Sequence, residues 1–216
     1  MALIRSAFQD ELDNVSQSLV DLTNMVSESI VKASKALLSA DLNLAEEVIA
    51  TDVRIDDYQH ELDARIIDII ARQQPVASDL RALITALRMS ADLERMGDLA
   101  HHVAKIVRLR HPEPAVPDAV VHLVEAMGVA AEKIATKTGV VISTRDTVMA
   151  AQVEKDDDEM DLLHRQLISA LISPSWEHGV ETAIDLTLLG RYYERYADHA
   201  VSVSRRVIFL VTGKFA

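Results

Sequence analysis

The sequence predicts an all-α protein made of two tandem, internally duplicated antiparallel three-helix bundles. Three observations support this fold class: apolar residues recur every three or four positions, glycine and proline are scarce, and no β-branched strands are apparent. The first glycine is Gly97, and Pro75 is the only proline before residue 112. Long uninterrupted helices are therefore expected over the first hundred residues.

Three helices are predicted in the first half of the chain. The first carries apolar residues at every third or fourth position from Leu12 to Leu37. The second opens on a possible capping box, Asn43-Leu44-Ala45-Glu46, and Pro75 separates it from the third. These signals predict helices over about residues 5–39, 43–72 and 78–109.

A proline-rich linker separates the two halves, and the same plan then repeats. Residues 111–117, His-Pro-Glu-Pro-Ala-Val-Pro, contain three prolines and cannot continue a helix. We therefore predict one bundle over residues 1–111 and a second over residues 112–216. The second bundle should contain a helix starting near Asp118 and two more over about residues 146–172 and 176–211. The copies superpose at an offset of 100 to 102 residues.

Composition excludes several classes of function. A net charge of −12 argues against a nucleic-acid partner, because phosphate binding needs a basic face. There is no cysteine, and hence no disulfide or thiolate metal site. Neither a signal-peptide pattern nor a stretch of about 20 apolar residues is present, so we expect a cytoplasmic protein. We find no motif typical of catalysis and predict that the protein is not an enzyme.

Paired acids are the most informative sequence feature. Two quartets each contain the spacing acid-x-x-x-acid twice, which places two carboxylates on one helix face. The first quartet is Asp52, Asp56, Glu94 and Asp98, and the second is Glu154, Asp158, Glu194 and Asp198. If the chain folds back about Pro75 and Trp176, the two pairs of each quartet face one another. We therefore predict that Asp52 lies beside Asp98 and that Glu154 lies beside Asp198.

Gathered carboxylates suggest metal binding. Two like charges 6 Å apart repel by roughly 3 kcal/mol at an effective dielectric constant of about 20, and a bound cation would relieve this repulsion. Oxygen ligands suit Mg²⁺, Mn²⁺, Ca²⁺ or iron, with Zn²⁺ less indicated. Alternatively, the acids are solvated or paired with arginines, as in a metal-independent helical adaptor. A metal-storage or redox bundle is a further alternative, although no histidine occurs in the Glu-x-x-His pair that a di-iron bundle uses.

The segments at residues 92–100, Asp-Leu-Glu-Arg-Met-Gly-Asp-Leu-Ala, and 191–200, Arg-Tyr-Tyr-Glu-Arg-Tyr-Ala-Asp-His-Ala, closely resemble the paired signatures of the PhoU family. The members of this family are accessory proteins of phosphate-specific transport. The resemblance covers essentially the full chain, from the Phe8-x-x-Glu11-Leu12 start through both three-helix repeats and their acid-x-x-x-Asp motifs.

This resemblance implies metal ions or clusters on the eight acids, with Mg, Mn, Fe or Zn as candidates, and a regulatory role. Such a protein would restrain phosphate uptake and phosphate-starvation signalling by contacting a phosphate ABC transporter and its sensor histidine kinase at the inner face of the membrane. It would form a homodimer. A related branch with a different phosphate transporter stays open, as does direct phosphate binding to the metal. The first quartet begins with Asp52 where the second has Glu154, so the two sites could differ.

Overall fold

The computed structural model describes the backbone of residues 2–214 and the side chains of residues 8–214. Six helices account for most of this part of the chain, which contains no strand, so the predicted all-α class is confirmed. They are α1 (Ala2–Ser39), α2 (Leu42–Gln73), α3 (Ala77–Arg110), α4 (Val121–Thr144), α5 (Thr147–Leu171) and α6 (Gly179–Thr212). None of the helices in this described part has a stretch long and apolar enough to cross a bilayer. The outermost ends of the two predicted bundles, residues 1 and 215–216, lie outside it.

Equivalent aspartates begin the middle helix of each repeat. The Asp41 side chain accepts a hydrogen bond from the backbone N–H of Leu44 at 3.0 Å, and Asp146 accepts from the N–H groups of Val148 and Met149 at 2.8 and 3.0 Å. Asp41, and not Asn43, is therefore the N-cap of α2, and the prediction of a cap at Asn43 was wrong. The two caps are 105 residues apart, so the repeat offset is larger here than the 100 to 102 predicted.

The two repeats share one hydrophobic core. Helix α1 packs antiparallel on α4, since Gly128 faces Ser34 and Gly139 faces Thr23. Helix α3 packs on α6, so each repeat covers the apolar faces of the other. Buried tyrosines on α6 add polar contacts to α1: the Tyr193 hydroxyl lies 2.7 Å from Ser34 Oγ, and the Tyr196 hydroxyl donates to the carbonyl of Val26 at 3.1 Å. These bonds satisfy hydroxyls that the core would otherwise isolate from water.

A largely buried carboxylate fixes α3 alongside α6. Asp92 on α3 accepts hydrogen bonds from His199 Nδ1 at 3.0 Å, Ser202 Oγ at 2.9 Å and Arg206 Nε at 2.8 Å. Burial alone would raise the pKa of Asp92, but these three donors outweigh it and hold the pKa below its usual value. Because the donors all lie on the other repeat, this node sets the register between the two halves.

Candidate metal centres

The first acidic cluster forms where α2 crosses α3 at close range. A methyl group added to Gly97 on α3 would come within 3.0 Å of the side chain of Ile55 on α2, so the glycine permits this approach. Hydrogen bonds from Ser90 to Asp63 (2.6 Å) and between His101 and Asp52 set the register of the two helices. The facing residues of α2 and α3 are thus symmetric about a point between residues 76 and 77. The sequence predicts this point of symmetry at Pro75, one to two residues earlier.

Cluster 1 consists of Asp52, Asp56, Glu94 and Asp98, the quartet that the sequence predicts. Burial raises the pKa of Asp56, and the charges of Asp52 and Asp98 raise it further. Burial likewise raises the pKa of Glu94, and the charges of Asp98 and Asp56 raise it further. The four carboxylates are therefore close enough to repel one another. Asp52 and Asp98 both act on Asp56, but the hydrogen-bond partner of Asp52 is His101, so the direct pairing of Asp52 with Asp98 stays a prediction.

Two carboxylate oxygens in cluster 1 lack a partner. Asp52 is only 9% exposed, and its Oδ1 is buried without a hydrogen-bond donor among the described residues. Oδ1 of Asp56 is in the same situation. Leaving a buried charged oxygen unsatisfied costs at least about 1–3 kcal/mol. A hard cation would satisfy an oxygen of this kind, because such ions prefer oxygen ligands.

Cluster 2 consists of Asp157, Asp161, Glu194 and Asp198, between α5 and α6. Burial raises the pKa of Asp157 to about 7, with further contributions from the charges of Asp161, Asp198 and Glu194. Burial also raises the pKa of Glu194, and among the carboxylates Asp198 and Asp161 contribute most. Oδ1 of Asp157 is buried without a partner within the described part of the chain, as Oδ1 of Asp52 is in cluster 1.

The second predicted quartet thus shares only Glu194 and Asp198 with cluster 2. Glu154 is 49% exposed and forms an ion pair with Arg205. The exposed Glu154 and Asp158 do line a pocket of about 360 Å³ together with Asp198. However, the residues equivalent to Asp52 and Asp56 are Asp157 and Asp161. The prediction that Glu154 and Asp158 face Glu194 and Asp198 as a quartet therefore needs correction.

The error has a structural reason. The α5–α6 connection has seven residues, 172–178, whereas the α2–α3 connection has three, 74–76, so symmetry about Trp176 does not locate the register. Six acids in the eight residues 154–161 offer several acid-x-x-x-acid pairs to choose from. The N-cap aspartates, aligned at an offset of 105, would have selected Asp157 and Asp161 as the equivalents of Asp52 and Asp56.

Neither cluster is a closed cage. Within the described residues, no three His, Asp or Glu side chains meet in an arrangement ready to hold a metal ion. Some of the carboxylates turn toward arginines instead: Asp98 pairs with Arg95, and Glu194 pairs with Arg191. An ion would have to draw the carboxylates inward from these partly exposed pairs, each of which is worth about 1 kcal/mol or less.

Comparison with known proteins identifies the family. The PhoU domain matches residues 19–107 and again residues 124–207. The chain is 43% identical to the phosphate-specific transport system accessory protein PhoU homolog 2 of Mycobacterium tuberculosis, over 98% of this chain and all of that protein.

Solved structures agree with this match. The crystal structure of the phosphate transport system regulatory protein PhoU from Streptococcus pneumoniae superposes with a TM-score of 0.86 at 26% identity, covering 97% of this chain and 99% of that one. PhoU from Pseudomonas aeruginosa gives a TM-score of 0.86 at 28% identity, covering 96% and 100% of the two chains. The duplicated three-helix repeat, the two acidic clusters and these full-length similarities together show that the chain belongs to the PhoU family.

Proposed function

We propose that this protein is a cytoplasmic regulatory accessory protein of phosphate transport that binds metal ions on its two acidic clusters. In this role it restrains phosphate uptake and phosphate-starvation signalling by contacting a phosphate ABC transporter and a sensor histidine kinase. The full-length similarity to phosphate-transport accessory proteins supports the biological role.

One observation supports metal binding in particular: both repeats bury an unpartnered aspartate oxygen in a cluster of four acids. Asp52 and Asp157 carry these oxygens at equivalent positions of α2 and α5. Because the same unpartnered oxygen occurs at equivalent positions of both repeats, an accident of side-chain packing is a poor explanation. Mg²⁺, Mn²⁺ and iron fit the oxygen donors of both clusters, and Zn²⁺ is the weaker candidate.

Metal binding would change the surface that partners meet. Without a metal ion, the carboxylates within each cluster repel one another. A bound ion would neutralise their charge and would link α2 to α3 in cluster 1, or α5 to α6 in cluster 2. We infer that the loaded protein offers a less negative and more rigid face to the transporter and the kinase.

Elemental analysis of purified protein tests the metal assignment. The double variant Glu94→Ala/Asp98→Ala should lose the metal of cluster 1, and Glu194→Ala/Asp198→Ala should lose that of cluster 2. The control Glu125→Ala/Glu132→Ala removes the same charge from exposed positions of α4 and should retain all the metal. Unchanged stoichiometry in both cluster variants would reject the assignment and favour the metal-independent adaptor.

Phosphate uptake tests the regulatory role. Deleting the gene should raise uptake and the output of a phosphate-starvation reporter when phosphate is abundant, and the wild-type gene should restore both. The two cluster variants should restore them only in part if metal loading presents the partner surface. Normal uptake in the deletion strain would contradict the proposed regulation whatever the metal content.

A further inference from the structure

A histidine distinguishes the two acidic clusters. His101 on α3 contacts Asp52 Oδ2 through Nδ1, and both side chains are largely buried, with 16% and 11% of their area exposed. Glu94 and Asp98 align with Glu194 and Asp198 at an offset of 100, so the position equivalent to His101 is Val201. Cluster 2 therefore has no counterpart of this contact.

The two ring nitrogens of His101 have different surroundings. Nε2 of His101 is buried without a partner in the described part of the chain, whereas Nδ1 faces a carboxylate. A proton on Nδ1 is donated to Asp52, and Nε2 then keeps a lone pair and no unsatisfied N–H. The other tautomer would place a lone pair against the carboxylate and bury an unpaired N–H, which costs more.

We propose that His101 is a positioning residue for metal binding in cluster 1. It holds Oδ2 of Asp52 so that Oδ1, the buried oxygen without a partner, stays directed into the cluster and available to a hard divalent cation. This inference rests on the proposed metal-binding function. It makes the two clusters unequal: cluster 1 has one ligand fixed in advance, and Asp157 in cluster 2 lacks such support.

Fixing a ligand in advance raises affinity because the free carboxylate would otherwise lose rotational freedom when the ion binds. Residues that orient ligands without touching the metal typically change metal affinity by about 10- to 100-fold. His102 provides an internal control. It is the next residue on the same helix, and its Nδ1 lies 2.6 Å from the backbone carbonyl of Asp98 and not from a carboxylate.

Manganese titration of the full chain tests the proposal. Cluster 2 is first disabled with Asp161→Asn/Asp198→Asn, so that Mn²⁺ binding reports cluster 1 alone. In this background His101→Val, which copies Val201, should weaken Mn²⁺ binding about 10- to 100-fold. His101→Asn should stay within about 3-fold of the parent, because its amide nitrogen is as many bonds from Cα as Nδ1 is. Thermal melts in chelator confirm folding.

Each outcome has one meaning. Loss in His101→Val with rescue in His101→Asn, and little change in His102→Val, supports the proposal. Equal binding by the parent and His101→Val overturns it and leaves the metal site intact, whereas equal loss in both His101 variants shows that the imidazole acts in another way and also overturns it. If the parent binds no Mn²⁺, the metal function itself fails. If His101→Val does not fold, His101→Gln, whose amide lies one bond further out, replaces it with the same expected loss.

Discussion

Replacing Asp157 with asparagine should stabilise the metal-free protein at alkaline pH. The pKa of Asp157 is about 7 in the folded chain against an ordinary value of 3.8. Between these values the folded state binds more protons than the unfolded state, so stability falls as pH rises and the whole penalty is present above pH 7. Asparagine has a similar shape and does not ionise, so the variant avoids that penalty.

The expected gain in stability follows from the size of the Asp157 pKa shift. Three pKa units correspond to about 4 kcal/mol, and solvent screening at this partly exposed site reduces the expected gain to about 2 kcal/mol at pH 8. Urea denaturation in chelator should therefore raise the midpoint by about 0.7 M for an m-value of about 3 kcal/mol/M. The difference should shrink toward zero at pH 4, where the wild-type carboxyl is protonated in the folded chain.

A neighbouring residue provides the control for this measurement. Asp158→Asn makes the same charge change at an exposed position and should alter the free energy of unfolding by less than about 0.5 kcal/mol. Saturating Mn²⁺ should narrow or reverse the advantage of Asp157→Asn, because an amide is the poorer ligand. Equal or lower stability of Asp157→Asn at pH 8 in chelator would refute the reasoning that burial and the neighbouring carboxylates penalise the ionised form of Asp157.

Four further substitutions test the packing between the repeats by denaturant unfolding. Tyr193→Phe removes the 2.7 Å hydrogen bond to Ser34 and should cost about 1 kcal/mol. Asp92→Ala leaves the hydrogen-bond donors on α6 without their largely buried acceptor and should cost about 3 kcal/mol, a loss that shrinks below pH 3.8 as the wild-type carboxyl becomes protonated. Gly139→Ala adds a methyl group at ordinary contact distance, 3.5 Å, and should stabilise by about 0.5–1 kcal/mol, whereas Gly128→Ala approaches Ser34 at 3.1 Å and should gain less or lose stability.

For each substitution, one result would contradict the expected change in stability. Unchanged stability of Tyr193→Phe would mean that water replaces the lost partner in the core. Asp92→Ala at wild-type stability would show that the node between the repeats contributes no net energy. A larger gain for Gly128→Ala than for Gly139→Ala would show that α1 and α4 separate easily.

The sequence by itself determined the fold class, the six helices and the duplication. Periodic apolar residues and scarce helix breakers are local signals, and each helix can be read without knowing its neighbours. The sequence also determined cluster 1, because the short connection at Pro75 leaves little freedom for the register of α2 against α3. The sequence also aligned Glu94 and Asp98 with Glu194 and Asp198, because both pairs keep the same offset of 100 residues between α3 and α6.

Only the tertiary structure decided the membership of cluster 2. The longer connection before α6 lets α5 slide, and six acids in one run make several registers equally acidic. Packing of α5 against α6 selects one of them: it half-buries Asp157 beside Asp161, Glu194 and Asp198, and it leaves Glu154 to Arg205. The contact of His101 with Asp52 also depends on the helices meeting, because the two residues are 49 positions apart in the sequence. Long-range register is a property of packing and not of any local pattern. The sequence therefore predicts which helices form, whereas the contacts between their side chains depend on the tertiary structure.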